Sequence, residues 1–186
     1  MEKLFSFQNN ILQNTPLSFK RYLYQQIPFH SRLVGVKGIR GVGKTTLLLQ
    51  YFKTQSLSTS LYVTADHPWF YQHSLLETAE EWHKQGGRLL VIDEVHKYAH
   101  WSAELKNIYD GFPEMRVLFT ASSALDIYRG EADLSRRALS VTLHGMSFRE
   151  YLSLYQLADL PSFPLSDLLE NHQIIAMELM QTLKTP

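Results

Sequence analysis

Glycines at fixed spacing precede a lysine and a threonine in the first quarter of the chain. Glycine lets backbone N–H groups approach an anion without a side chain in the way, and a helix that begins there points its positive end at the same anion. We expect Lys44 to bridge the β- and γ-phosphates of a nucleotide and the hydroxyl of Thr45 to ligate magnesium. The pattern therefore predicts a phosphate-binding loop, or P-loop. Its predicted binding residues are Gly38, Arg40, Gly41, Val42, Gly43, Lys44, Thr45 and Thr46.

Two carboxylates end an apolar run at residues 90–94. Asp93 is placed to hold magnesium through water, and Glu94, one residue on, points differently and would act as general base on an attacking water. The pair favours hydrolysis, because a small-molecule kinase does not need a water-activating glutamate at this point. Residues 93–96 also have the spacing of a helicase motif, but a helicase core needs two such units and 186 residues hold only one.

Hydroxyl and guanidinium side chains supply further catalytic candidates. Ser122 is the first choice and Thr120 the second for a side chain that contacts the γ-phosphate or the attacking water, with capping of a helix near Ala124 as the alternative. Arg136 and Arg137 are candidates for an arginine finger that acts on a neighbouring subunit's nucleotide. An interdomain ion pair or a solvated turn is the alternative for both arginines. The predicted catalytic residues are Lys44, Glu94, Ser122, Arg136 and Arg137.

Short β-branched runs alternate with helical patterns along the chain, which predicts a parallel sheet covered by helices on both faces. One helix is expected to open at Pro68 and to carry a stripe of Leu75, Ala79 and Trp82. Another is expected to begin at Ser147, where the capping-box spacing occurs. Ligands of such sheets bind beyond the carboxyl ends of the strands, where the motifs fall. The predicted strands are 32–37, 60–65, 88–92, 116–120 and 139–143.

Composition excludes several classes of function. No cysteine is present, so disulfides and thiolate chemistry are ruled out. Lysine plus arginine equals aspartate plus glutamate at 18 each, which gives nucleic-acid binding no support and leaves it undetermined. No apolar run approaches a membrane span and the N-terminus lacks a secretory signal, so we expect a cytoplasmic protein without membrane contact. The guanine-recognition sequence Asn-Lys-x-Asp is absent, which favours ATP over GTP.

Four segments together resemble the prokaryotic AAA-family ATPases that are often called archaeal-type ATPases. They are residues 38–46, 91–97, 119–123 and the pair 134–138 and 147–151, and the resemblance extends over about residues 30 to 152. It implies a three-layer α-β-α P-loop NTPase with a five-stranded parallel sheet of order 5-1-4-3-2. It also implies ATP and Mg²⁺ as cofactors, with the roles given above for Lys44, Thr45, Asp93, Glu94 and a strand-four hydroxyl.

The expected organisation is a helical segment at 1–30 packed on the core, an ATPase domain at 31–152 and a helical tail at 153–186. We expect the tail to begin a truncated C-terminal region, so that a further domain is missing. Further copies of the chain are a second predicted partner, in a homo-oligomer. The leading hypothesis is an ATPase whose nucleotide state drives an attached or partner domain. A nucleotide-gated binding module with little hydrolysis is the alternative, and a small-molecule kinase is the third.

Overall fold

The computed structural model describes residues 1–122, 134 and 136–184, and the backbone alone of Lys184. The predicted helix near Ala124 therefore lies outside the described residues. The chain divides into two compact units, Met1–Gly145 and Met146–Pro186. Residues 146–152, which the predicted organisation assigns to the ATPase domain, fall in the second unit, and the predicted domain boundaries stay a prediction.

Five parallel strands form one sheet in the first unit, in the order β2-β3-β4-β1-β5. This is the predicted order 5-1-4-3-2, counted from the other edge. Each strand is short and rich in β-branched or leucine side chains, and four of the five are buried on both faces, whereas Leu139–Thr142 is mostly exposed. The strands are β1 Leu33–Lys37, β2 Ser60–Thr64, β3 Leu89–Asp93, β4 Arg116–Ala121 and β5 Leu139–Thr142.

Side chains alternate along the strands between two hydrophobic clusters, one on each face of the sheet. On β2, Leu61 and Val63 belong to one cluster and Tyr62 to the other. Helices α3 (Leu75–Lys84) and α4 (Trp101–Gly111) cover the Leu61 face, and α2 (Lys44–Phe52) covers the Tyr62 face. The result is the predicted three-layer α-β-α fold.

The helix predicted to open at Pro68 is wrong in its extent. Pro68–Tyr71 forms a separate 3₁₀ turn, and α3 begins only after Ser74. The reason is a capping box: the Ser74 N–H donates to Glu77 Oε2 at 2.8 Å, and the Glu77 N–H donates to Ser74 Oγ at 3.0 Å. The predicted stripe of Leu75, Ala79 and Trp82 is buried as expected.

The N-terminal segment covers one edge of the sheet. Helix α1 (Glu2–Gln13) packs beside β2, which is an edge strand, and a 3₁₀ turn follows at Tyr22–Gln26. The buried side chain of Gln8 accepts a hydrogen bond from the Tyr62 N–H at 2.8 Å. An edge N–H that would otherwise lack a partner is therefore satisfied.

Two helices lie in the described part of the second unit, joined by residues 155–164 without regular structure. Helix α5 (Phe148–Leu154) begins at the predicted capping box, in which the Ser147 N–H donates to Glu150 Oε2 at 2.9 Å. Helix α6 (Leu165–Lys184) contains a break at Asn171, where φ is −123° and ψ is 16°. The predicted helical tail is confirmed. Within the part of the chain that the structure describes, no helix has both the length and the apolar character needed to cross a membrane.

Candidate functional site

The predicted phosphate loop connects the end of β1 to the start of α2. Gly43 is the residue before α2 and has φ 95° and ψ 22°, a left-handed conformation that costs a side-chain-bearing residue about 1 kcal/mol or more. Gly38 lies against the backbone of Leu143, and a Cβ at Gly38 would overlap the Leu143 carbonyl oxygen. Both glycines are therefore required by the backbone itself, quite apart from any ligand.

Lys44 extends back over its own loop. Its Nζ donates hydrogen bonds to the carbonyl oxygens of Gly38 and Ile39, each at 2.9 Å, and the residue is 6% exposed. Burial lowers the pKa of Lys44 from its ordinary value, and the negative charges of Asp93 and Glu94 act against that shift. The ammonium is thus held at the mouth of the loop by neutral acceptors that phosphate oxygens can replace.

Asp93 ends β3 inside a cage of hydroxyl groups. Its Oδ2 accepts hydrogen bonds from Thr45 Oγ1 at 2.7 Å and from Tyr62 Oη at 3.0 Å, and its Oδ1 accepts one from Thr120 Oγ1. The alternation of side chains along the strands explains these contacts, because Tyr62, Asp93 and Thr120 all point to the face that α2 covers. The carboxylate is 5% exposed, so its position is set by these three donors.

The oxygens of Thr45 and Asp93 fit a magnesium ion. Magnesium takes oxygen ligands and usually keeps several waters, so one or two protein groups suffice. The Thr45 hydroxyl donates its proton to Asp93 in a hydrogen bond, so the lone pairs of Thr45 Oγ1 are left for a cation. The pairing of a hydroxyl and a carboxylate at 2.7 Å therefore matches the predicted metal residues.

Glu94 has an unusual backbone conformation. Its φ of 51° and ψ of 44° place it in the left-handed region, where residues other than glycine are uncommon. Its N–H donates to Thr120 Oγ1 at 2.8 Å, which helps to hold that conformation. Strain of this kind is concentrated at active sites, and the bend separates the direction of Glu94 from that of Asp93.

The strand-four hydroxyl in contact with the acidic pair is Thr120, the second choice from the sequence. Thr120 is fully buried, donates to Asp93 and accepts from the Glu94 N–H. Ser122 is half-buried, and its N–H donates to His96 Nδ1 at 3.3 Å. Which of the two hydroxyls contacts a γ-phosphate stays a prediction.

The predicted arginine candidates occupy different surroundings. Arg137 forms a two-pronged ion pair with Asp110 on α4, in which Nε and Nη2 each lie 2.9 Å from a carboxylate oxygen. Hydrogen bonds from Arg137 lower the pKa of Asp110 from its ordinary value. Arg136 and Arg40 are exposed. The finger role of Arg136 and Arg137 stays a prediction, and the ion pair of Arg137 lies within the first unit, so it is not the interdomain pair of the alternative.

Two residues of the site carry no motif in the sequence. Tyr62 reaches Asp93 from the neighbouring strand, and Arg21 contacts the carbonyl oxygen of Val42 within the loop. A tyrosine between Leu61 and Val63 in a buried strand is a signal for Tyr62, because a buried phenol needs a hydrogen-bond partner. No local pattern marks Arg21, because it lies 21 residues from its partner in the loop.

The glycine loop after the first strand, the acid at the end of the third and the strand order together define a P-loop NTPase. Residues 30–152 match the AAA domain family, and the chain belongs to that family of nucleotide-binding domains. The chain is also 30% identical over 181 residues to the uncharacterized protein MJ1637 of Methanocaldococcus jannaschii. The match covers 83% of this chain and 38% of the relative, so the chain spans about two fifths of that protein's length.

Proposed function

We propose that this AAA domain binds ATP with magnesium and hydrolyses it, and that its nucleotide state is coupled to an attached or partner domain. The observation that carries the proposal is the hydrogen bond between Thr45 Oγ1 and Asp93 Oδ2 at 2.7 Å. It joins the phosphate loop to the acidic strand across 48 residues of sequence. Hydrolysis needs both elements at one place, because one binds phosphate and the other supplies acid groups.

Each residue of the site has a separate task in this proposal. Lys44 exchanges its two carbonyl acceptors for phosphate oxygens, and loop N–H groups bind the same phosphates. Thr45 and Asp93 would hold the magnesium ion, which neutralises phosphate charge when it is bound. Glu94 acts as general base on the attacking water. Thr120 fixes the two acids relative to each other through its single hydroxyl.

A nucleotide-gated binding module with slow hydrolysis is the second candidate. The observation that favours it is the ion pair of Arg137 with Asp110, because this contact would have to break before Arg137 could act as a finger. An arginine finger contributes about 10³–10⁵ in turnover rate where it acts. A domain without one would bind ATP and release phosphate slowly until a partner supplied the missing cation.

Binding is tested by titrating ATP with magnesium into the parent chain and the Lys44→Ala variant. We expect Lys44→Ala to lose most of the affinity, because the ammonium faces the phosphates. Lys53→Ala is the matched control, since Lys53 follows α2 directly and its side chain donates only to the Thr15 carbonyl in the described contacts. Equal affinity in the parent and Lys44→Ala would contradict the phosphate-loop assignment.

Hydrolysis is tested by measuring phosphate release from the parent and from Glu94→Gln. We expect Glu94→Gln to bind ATP normally and to lose about 10²-fold or more in turnover, the usual contribution of a general base. Glu80→Gln is the control, because Glu80 is an exposed residue of α3 that pairs only with Lys84 in the described contacts. Slow release that is the same in parent and Glu94→Gln would favour the gated binding module. Transfer of phosphate to an added acceptor, in place of release, would indicate a kinase.

A further inference from the structure

Arg21 contacts the phosphate loop from the N-terminal segment. The residue is 8% exposed, and its Nη1 donates a hydrogen bond to the Val42 carbonyl oxygen at 2.7 Å. Its Nη2 donates to the carbonyl oxygens of His144 and Gly145, at 2.9 Å and 3.1 Å. One rigid guanidinium therefore joins the middle of the loop to the segment that follows β5.

The contact with Val42 bears directly on the next N–H in the chain. A peptide unit is planar, and in its trans form the carbonyl and the N–H point in opposite directions. No cis peptide occurs in the described parts of the chain. A guanidinium that holds the Val42 carbonyl on one side thus keeps the Gly43 N–H turned to the other side, where a P-loop binds phosphate.

Glycine makes this anchor necessary. Gly41 and Gly43 have φ of 85° and 95°, and a Cβ at either would meet no heavy atom within 4 Å. The loop between them is thus held neither by side-chain packing at these positions nor by a narrow range of backbone angles. A fixed donor on the Val42 carbonyl supplies the restraint that the glycines lack.

The far end of the guanidinium rests on a rigid support. The Leu143 N–H donates to the Lys37 carbonyl at 2.7 Å, and Gly38 packs against the Leu143 backbone. His144 and Gly145, which also accept from Arg21, follow immediately. The start of the loop, the end of β5 and the Val42 carbonyl are therefore tied into one frame through Arg21.

We propose that Arg21 is a positioning residue for the phosphate loop, which orients the Val42–Gly43 peptide so that the Gly43 N–H faces the bound phosphate. The proposal rests on the proposed function of the same loop. Arg21 does not touch the nucleotide in this arrangement. It orders the anion site before the nucleotide binds, so that the affinity is not reduced by the free energy of ordering the peptide.

The experiment compares the full chain with Arg21→Ala and Arg21→Lys in calorimetric titrations of ADP and of ATP with magnesium. We expect Arg21→Ala to bind both nucleotides about tenfold more weakly, because a charge-assisted hydrogen bond that fixes the site is lost. Arg21→Lys should lie between the two, since an ammonium cannot hold carbonyls in both directions as a planar fork does. Guanidinium ion at millimolar concentration should restore part of the affinity of Arg21→Ala.

Steady-state hydrolysis separates an effect on KM from an effect on kcat, and a merely structural role of Arg21 would not change KM selectively. The loop N–H groups contact the phosphates in the ground state and in the transition state, so KM should rise while kcat changes little. The control is Lys53→Ala, which also removes a side-chain contact to the N-terminal segment but leaves Val42 untouched. We expect Lys53→Ala to keep the parental KM and affinity, whatever happens to its melting temperature.

The outcomes separate this inference from the function on which it rests. If the parent chain does not bind nucleotide, the proposed function and the role of Arg21 are both refuted. If the parent binds and Lys44→Ala does not, while Arg21→Ala keeps the parental affinity, the proposed function stands and the role of Arg21 is refuted. If Arg21→Ala does not fold, Arg21→Lys decides: several-fold weaker binding with an unchanged kcat supports the proposal, and parental affinity overturns it.

Discussion

Replacement of Tyr62 by phenylalanine removes one hydroxyl from the cage around Asp93 and leaves the ring in place. Tyr62 is 1% exposed, and its Oη lies 3.0 Å from Asp93 Oδ2. Burial, and after it the charge of Asp93, raises the pKa of Tyr62 far above its ordinary value of 10.0. The phenol is therefore a neutral donor throughout the physiological range.

The remaining contacts set the size of the effect. A hydrogen bond to a charged group contributes about 1.5–3 kcal/mol. Without the phenol, Oδ2 still accepts from Thr45 and Oδ1 from Thr120, so no oxygen of Asp93 is left without a donor. We therefore expect the lower end, about 1.5 kcal/mol in the free energy of unfolding of the first unit, or a melting temperature lower by about 3–6 °C.

The assay is a double-mutant cycle of Tyr62→Phe with Asp93→Asn, followed by thermal or denaturant unfolding. Neutral hydrogen bonds are about half as strong as charge-assisted ones, so Tyr62→Phe should cost about half as much in the Asp93→Asn background. Equal costs in both backgrounds, within about 0.3 kcal/mol, would refute the assignment of the effect to this hydrogen bond.

The same variant tests an effect on the metal site. We expect Tyr62→Phe to weaken the magnesium dependence of ATP binding, because Asp93 loses one of its three restraints. Tyr98→Phe is the matched control, since Tyr98 also donates to a carboxylate, Glu104 Oε1 at 2.9 Å, outside the site. A change in magnesium dependence that is equal in both variants would contradict a specific role for Tyr62.

The raised pKa of Tyr62 also predicts a pH dependence. Above pH 10.0 the unfolded chain releases the phenolic proton and the folded chain keeps it, so the folded state binds more protons. The contribution of Tyr62 to stability is therefore complete below that pH and declines as the pH rises beyond it. The difference between the parent and Tyr62→Phe should shrink in alkaline solution, which unfolding at several pH values measures.

Two further predictions concern packing and surface charge. Gly87→Ala should lower the free energy of unfolding by about 1–3 kcal/mol, because the new Cβ would overlap the buried indole of Trp82. At Gly111 a Cβ meets no heavy atom within 4 Å, so Gly111→Ala should be neutral or stabilising by up to about 1 kcal/mol. Denaturant unfolding of the two variants decides, and equal costs would contradict the packing argument. Arg137→Ala should raise the pKa of Asp110 toward its ordinary 3.8, as NMR titration would detect. The pKa of Asp110 is lower in the folded chain than in the unfolded chain. The stability that the ion pair contributes is therefore present at pH values above the pKa of the unfolded chain, and it is lost as the pH falls through the pKa of the folded chain. An unchanged pKa of Asp110 in Arg137→Ala would show that the ion pair does not form in solution.

Local pattern predicted the alternation of strands and helices that the structure confirms, and it supplied the candidate site residues. The glycine spacing, the lysine and threonine after it and the acidic end of β3 are read within a few residues each. The strand order came from resemblance to a family, and the sheet confirmed it. The extent of α3 was mispredicted because Pro68 and Ser74 are both helix-start signals, and only the hydrogen bonds of Ser74 with Glu77 show which one begins the helix.

The sequence by itself determined which side chains share a face of the sheet, because alternation along each strand is a local property. Within β2 that alternation separates Tyr62 from Leu61 and Val63, but it does not say which face α2 covers or which residues of β3 lie on the same side. Only the tertiary structure decided that these strands are neighbours in register, with Thr64 opposite Asp93, so that the phenol reaches the carboxylate.

The same holds for the phosphate loop. The sequence predicted that the loop binds an anion, through its glycines and the helix after them. Only the tertiary structure brought Arg21 to the Val42 carbonyl and to His144 beyond β5, 123 residues away along the chain. Such contacts depend on packing between distant segments, and no pattern within either segment encodes them.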